Sequence, residues 1–158
     1  MTVNKKSPQE SAVEMTELVL PNDTNLLGNL LGGRLMHWMD IAGGMSASRY
    51  ANKVVVTAAV DNLIFHHPIQ LGELVNLKAI VTWTGRTSME ILVIVIAENT
   101  LTGEKKLSNE AFFTFVALDD TGKPCFIPEL SPETDIEKSL NKEATNRRAK
   151  RLELKEKI

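Results

Sequence analysis

Apolar and polar residues alternate sharply through the middle of this chain. Val75, Leu77, Ala79, Val81 and Trp83 share one parity, and Met89, Ile91, Val93, Val95 and Ala97 repeat it, the two-residue period of a strand with one face in a core. Four runs read as strands on this basis: Val54 to Phe65, Leu74 to Thr84, Ser88 to Asn99 and Lys105 to Leu118. They are punctuated by Pro68 to Gly72, Gly85-Arg86, Thr102-Gly103 and Asp119 to Gly122, the third of these a tight hairpin. A shorter run, Ala12 to Leu20, places Val13, Met15, Leu18 and Val19 in a modest strand that Pro21-Asn22-Asp23 breaks. From Gly33 to Tyr50 the period becomes helical. Leu35, Met36, Trp38, Met39, Ile41, Ala42, Met45 and Ala47 spread around nearly the whole circumference, so the helix is expected to be buried on most sides. The predicted order is strand, helix, then four consecutive antiparallel strands.

An antiparallel sheet curved around one helix that is apolar all round is the economical way to bury both. This is an α+β architecture, the hotdog fold, here with five or six strands. Leu92, Ile94 and Ile96 make the second face of their strand apolar too, which predicts that another subunit covers the outer face and that the protein is at least a dimer. Ser131-Pro132-Glu133 reads as an N-cap, a first-turn proline and a dipole-favoured acid, so a C-terminal surface helix is expected from there. Its apolar spacing, Ile136, Leu140 and Ala144, is thin enough that only part of it should dock. The expected organisation is a flexible lead over 1–11, a hotdog domain over 12–130 and a charged helix over 131–158.

Length and charge narrow the function classes. A chain of 158 residues has room for one domain with a real core. Net charge is −2 with both signs interspersed, which speaks against nucleic acid as a partner and requires any anionic ligand to be held by a local cluster. Cys125 is the single cysteine and reads as a reduced thiol. The first fourteen residues carry no apolar signal-like run, and Met89 to Ala97 is too short to span a bilayer. A cytoplasmic protein with no membrane anchor is expected.

Two stretches could carry chemistry. Asp40 is a carboxylate in mid-helix, costly unless paired or used. Arg34 is one candidate counter-ion. The alternative is a catalytic acid beside a substrate channel, for which Gly43 and Gly44 leave room while weakening the helix by about 0.5–1 kcal/mol each relative to alanine. The second stretch, Asn25-Leu-Leu-Gly28-Asn29-Leu-Leu-Gly32-Gly33, delivers free N–H groups at the start of that helix, suited to an oxyanion, or is merely a glycine-rich turn into a buried helix. Asn25 itself either orients a water or donates to an oxygen, or else closes an Asx turn after Asp23. His37, His66 and His67 have no metal-ligand spacing with the cysteine, so no metal is expected. Phosphate donors are offered by the hairpin Gly85-Arg86-Thr87-Ser88 and by the basic cluster Arg147, Arg148, Lys150 and Arg151.

Several ordered motifs together resemble the cytosolic acyl-CoA hydrolase branch of the hotdog thioesterases, over about residues 12 to 150. They are Asn25-x-x-Gly28-x-x-x-Gly32-Gly33, Met39-Asp40-Ile-Ala-Gly43-Gly44, Val60-Asp61…Phe65-His-His-Pro68, Thr84-Gly85-Arg86-Thr87-Ser88-Met89-Glu90, and the last strand, Ala111 to Asp119. The resemblance implies a thioesterase that hydrolyses fatty acyl-CoA to free acid and coenzyme A, with no cofactor beyond the coenzyme of the substrate itself. The carbonyl would sit against the helix N-terminus with the Gly33 N–H as oxyanion donor. Asp40 would activate water or attack directly, and Asn25 would come from the facing protomer of a dimer, with a trimer of dimers, a hexamer, as the larger assembly. Gly32 and the Gly85–Ser88 hairpin would contact substrate, with Arg86 and Ser88 the better supported there. One departure is Leu31, where many relatives carry histidine, so the backbone alone must polarise the carbonyl. Two rivals remain: a hotdog protein that binds acyl-CoA without cleaving it, and a dehydratase using His37 with Asp40.

Overall fold

The computed structural model describes residues 4–61 and 63–157. The elements run β1 (Lys5–Lys6), a 3-10 turn (Pro8–Ser11), β2 (Val13–Leu18), a second 3-10 turn (Pro21–Asp23), α1 (Gly32–Ala51), β3 (Val54–Asp61), β4 (Leu74–Thr84), β5 (Ser88–Glu98), β6 (Lys105–Leu118), β7 (Glu129–Leu130) and α2 (Asp135–Glu156). The five long strands form one antiparallel sheet in the order β2-β4-β5-β6-β3, and α1 lies across it, the hotdog arrangement expected. The four strands after the helix are not consecutive neighbours. β3 crosses to the far edge beside β6, and it stops at Asp61, short of the strand expected to run to Phe65. Register shifts at Thr57/Ala59, Val81/Trp83 and Val95/Ile96 mark bulges, the devices that bend such a sheet around a helix.

The core lies between the inner sheet face and one side of α1. Val75, Leu77, Val81, Ile91, Val93 and Phe113 meet Leu35, Trp38, Met39, Ala42 and Tyr50, all buried. The helix is not enclosed all round. Met36, Ile41 and Met45 form a stripe about 40 % exposed on its other side, because one sheet covers only one side of one helix. Gly43 serves close packing: a Cβ there would stand 3.0 Å from the Phe115 ring, whereas Gly44 has that ring at an ordinary 3.7 Å. The two glycines were expected to open a channel beside Asp40; Gly43 instead seats the helix on β6.

Residues 4–11, expected to be frayed, are built into the fold. β1 pairs in parallel with β7, and buried Ser11 accepts a hydrogen bond from the Val81 N–H at 2.9 Å. The Lys6 ammonium donates to the Tyr50 carbonyl and to Asn52 Oδ1, both at 2.7 Å, placing a cation at the C-terminal end of α1 where the dipole favours it. Burial pushes the Tyr50 phenol well above its usual range, so the hydroxyl stays a donor, here to the Pro128 carbonyl at 3.0 Å.

α2 is somewhat shorter than the 131–158 expected but more firmly docked than its sequence suggests. Thr134, not Ser131, is its N-cap, accepting from the Glu137 N–H at 3.1 Å. It crosses the outer sheet face, where Asn141 donates to the Thr82 carbonyl and Arg147 lies 3.5 Å over the Phe112 ring. Leu92, which pairs with the Phe112 that lies beneath Arg147, is already buried within the single chain, while Ile94 and Ile96 remain half-buried.

Candidate active site

The loop leading into α1 is closed by its own polar groups. Buried Asp23 accepts from the Leu20 N–H at 2.9 Å, its carbonyl takes the Leu31 N–H at 2.9 Å, and its carboxylate faces Arg34 Nε at 3.3 Å. Asn25 Oδ1 accepts from the N–H groups of Leu27 (2.9 Å) and Asn29 (3.2 Å), an Asx turn completed by Gly28 at φ +77. The side-chain oxygen is thus spent on the loop. What Asn25 can offer a ligand is the pair of N–H groups on Nδ2.

That loop delivers an uncapped helix. Leu31 stands at the N-cap and has no side-chain acceptor, so the first-turn N–H groups, Gly33 among them, are left for a ligand or solvent. Gly33 faces open space, beside a cavity of about 380 Å³ walled by Leu31, Gly33, Arg34 and His37. On the other flank the Phe65 ring lies against Gly32, 3.2 Å from where a Cβ would stand. A second cavity of about 330 Å³ there is walled by Asn25, Gly32, Leu35, Phe65 and His67, among others.

Asp40 is half-buried and forms no ion pair among the described residues, since its candidate counter-ion Arg34 turns back to Asp23. Its Oδ1 accepts from the Thr57 hydroxyl at 2.5 Å. Thr57 carries no signal in the sequence beyond being a threonine in a strand. Neither the cavity that holds Asn25 nor the one that holds Gly33 includes Asp40 in its walls. Within one protomer, then, the three expected residues do not converge on one cavity.

Of the expected coenzyme contacts, the hairpin is fixed in place and the basic cluster is divided. Gly85 sits under Trp83, where a Cβ would be 2.8 Å from the ring. The Arg86 and Thr87 carbonyls accept from Ile127 and Ala117, which leaves the Arg86 side chain exposed. Ser88 and Arg148 wall a cavity of about 440 Å³ with Thr114, Arg151 and Lys155, and Arg148 also stands 4.9 Å over Trp83. Arg147 must be reassigned. Its guanidinium grips the carboxylate of Glu90 with two bonds, 3.0 and 2.7 Å, and Glu90 is buried, so Arg147 fastens α2 to the sheet instead of waiting for a phosphate. Among the described residues no cluster of three His, Cys, Asp or Glu side chains could hold a metal, and no helix is long and apolar enough to cross a membrane.

The thioesterase superfamily model matches residues 27–104, the stretch from the glycine-rich loop to the β5–β6 hairpin. The uncharacterized acyl-CoA thioester hydrolase YkhA of Bacillus subtilis is 43 % identical over 139 residues, 88 % of this chain and 81 % of its own length. The rat cytosolic acyl coenzyme A thioester hydrolase is 37 % identical over 87 % of this chain, which spans 36 % of that longer protein. Among solved structures, an apo hexameric acyl-CoA thioesterase superposes with a TM-score of 0.92 at 40 % identity, over 96 % of this chain and 97 % of the other. The Staphylococcus aureus acyl-CoA hydrolase, solved with butyryl coenzyme A and coenzyme A, superposes at 0.87 with 35 % identity, over 98 % and 96 %. That enzyme has also been solved with an aspartate, an asparagine and a threonine each replaced by alanine, at positions spaced along its chain as Asp40, Asn25 and Thr57 are here. The chain belongs to the thioesterase superfamily of hotdog proteins. Within it, the similarity runs to the acyl-CoA hydrolases.

Proposed function

We propose that this protein hydrolyses fatty acyl-CoA to free acid and coenzyme A, at a site shared between two protomers. The observation that carries the proposal is a carboxylate in mid-helix with no counter-ion among the described residues and one hydroxyl partner, Asp40 to Thr57, on a helix whose first-turn donors are uncapped. The Gly33 N–H would polarise the thioester carbonyl and hold the oxyanion, placed at the positive end of α1. Asp40 would take the proton of an attacking water or attack the carbonyl itself; either route needs one free carboxylate oxygen, which the single bond from Thr57 leaves. With its oxygen committed to the loop, Asn25 would act as a donor through Nδ2, to the water or to the substrate. The thiolate leaves readily, so neither metal nor cofactor is required.

Because Asn25 and Asp40 do not wall one cavity, the working pair would be Asn25 of one protomer and Asp40 of its partner. The exposed Met36, Ile41 and Met45 stripe and the edge strand β3 with Val54 and Val56 bare support such a dimer, and the hexameric neighbour supports a trimer of dimers. The coenzyme's phosphates would lie among Arg86, Ser88 and Arg148, and the working compartment would be the cytoplasm. Thiol release from a panel of acyl-CoA substrates tests the reaction. Asp40→Asn should fold and lose at least about a hundredfold in kcat, as expected when a general base or nucleophile is removed. Saturable binding without thiol release by the wild-type protein would instead support a non-hydrolysing acyl-CoA binder.

A further inference from the structure

The strand pattern that runs on to Phe65 is not used as strand. β3 ends at Asp61, and the segment 63–68 lies over the N-terminus of α1. Three contacts set its course. The Asp61 carboxylate pairs with Arg151 of α2, the Ser108 hydroxyl donates to the His67 carbonyl at 3.0 Å, and the Leu30 N–H donates to the Ile69 carbonyl at 2.6 Å. The result is the Phe65 ring lying against Gly32, 3.2 Å from where a Cβ would stand, so that a side chain there would displace the ring by a few tenths of an ångström. The ring nevertheless stays 51 % exposed, its free part turned to the cavity it shares with Asn25. Leaving half of a large aromatic ring in water forgoes apolar burial worth about 25 cal/mol per Å², and here the bare half stands beside backbone donors.

Building on the thioesterase reading, we infer that Phe65 is a positioning residue for the reaction: it shields one flank of the α1 N-terminus from water and gives the thioester segment of the substrate a surface to lie on. The two flanks of the helix end differ in the required way. Gly33 opens on space through which the carbonyl can arrive, and Gly32 is roofed by a hydrocarbon ring. Excluding water there strengthens the dipole and the N–H donors acting on a developing oxyanion, because the same charges interact more strongly where the effective dielectric is low. The ring is adjacent to the donors and therefore meets the part of the substrate common to every acyl-CoA. Its removal should act on turnover, and equally for short and long acyl chains.

The experiment compares wild-type, Phe65→Ala, Phe65→Leu, Phe65→Tyr and Gly32→Ala proteins by thiol release from a short-chain and a long-chain acyl-CoA, with thermal melts to establish folding. Phe65→Ala should lower kcat about tenfold on both substrates with KM changed less than about threefold. Phe65→Tyr, which keeps the ring, should restore it, and Gly32→Ala, which displaces the ring by a few tenths of an ångström, should lower kcat in the same direction by a smaller factor. If Phe65→Ala does not fold, Phe65→Leu takes its place with the same expectation. Unchanged kcat in the folded variant, or a loss confined to one chain length, overturns the inference. A wild-type protein that releases no thiol sinks the thioesterase reading itself, whereas an active wild-type with an equally active Phe65→Ala sinks only the role of the ring.

Discussion

Thr57 holds Asp40 from one side, and that contact depends on a single irregularity in β3. Val55 and Thr57 face inward, the register shifts between Thr57 and Ala59, and the next residue packed on the core is Val60 instead of Ala59. Without the bulge the parity would carry Asp61 inward, away from Arg151. Thr57→Val keeps shape and β-propensity but removes the hydroxyl, so Asp40 loses the bond that fixes its rotamer. The expectation is a roughly tenfold fall in kcat with little change in stability, recovered by Thr57→Ser, measured by steady-state thiol release and a thermal melt. Asp40 was legible as a candidate because a carboxylate in mid-helix, with Met36, His37, Gly43 and Gly44 three and four positions away, needs a reason. Asn25 and Gly33 were legible as candidates because a glycine-rich loop delivers free N–H groups at the start of that helix. Thr57 was not, since which strand threonine meets the helix is fixed by a crossover to the far sheet edge and by a bulge, and neither leaves a local mark.

The charges of α2 show how an element can be read correctly and its side chains misread. Arg147, Arg148, Lys150 and Arg151 at helical spacing look like a solvated or phosphate-binding face. The fold instead brings Glu90, near the start of an apolar strand and 57 residues away, under Arg147, with the Thr82 hydroxyl on the same carboxylate at 2.7 Å and Arg151 at 3.8 Å. Glu90 is 1 % exposed, so its charge is tolerable only while paired. Arg147→Ala should therefore strand a buried carboxylate and cost about 3 kcal/mol in urea denaturation, while the double change Glu90→Leu with Arg147→Met should recover most of that loss. A double variant as unstable as the single one would mean that the loss comes from the packing of Arg147 over Phe112 and not from the stranded charge. The N-cap shift from Ser131 to Thr134 has a similar origin: both residues have capping chemistry, and the pairing of β7 with β1 keeps the chain extended past Leu130.

The whole molecule leaves its apolar surface around the residues proposed to do its chemistry. Met36, Ile41 and Met45 flank Asp40 on α1, Val54 and Val56 lie along the edge strand, and Leu26 and Leu27 stand almost fully exposed at the tip of the Asn25 loop. On the proposed reading, a two-fold dimer that covers this surface would bring the same patch of each protomer against its copy, and the partner's acid would complete the site at Asn25. Light scattering should then report a dimer or a larger even-numbered assembly. Subunit mixing separates the shared site from a site within one chain. Asn25→Ala and Asp40→Asn are each expected to be nearly inactive alone. After equal mixing under conditions of proven exchange, half of the dimers carry both variants, and in each of these one of the two sites keeps an intact Asn25 and an intact Asp40. Recovery of about a quarter of wild-type activity is expected on that account. If both residues served a site within a single chain, every chain in the mixture would lack one of them, and activity would not rise above that of the separate variants.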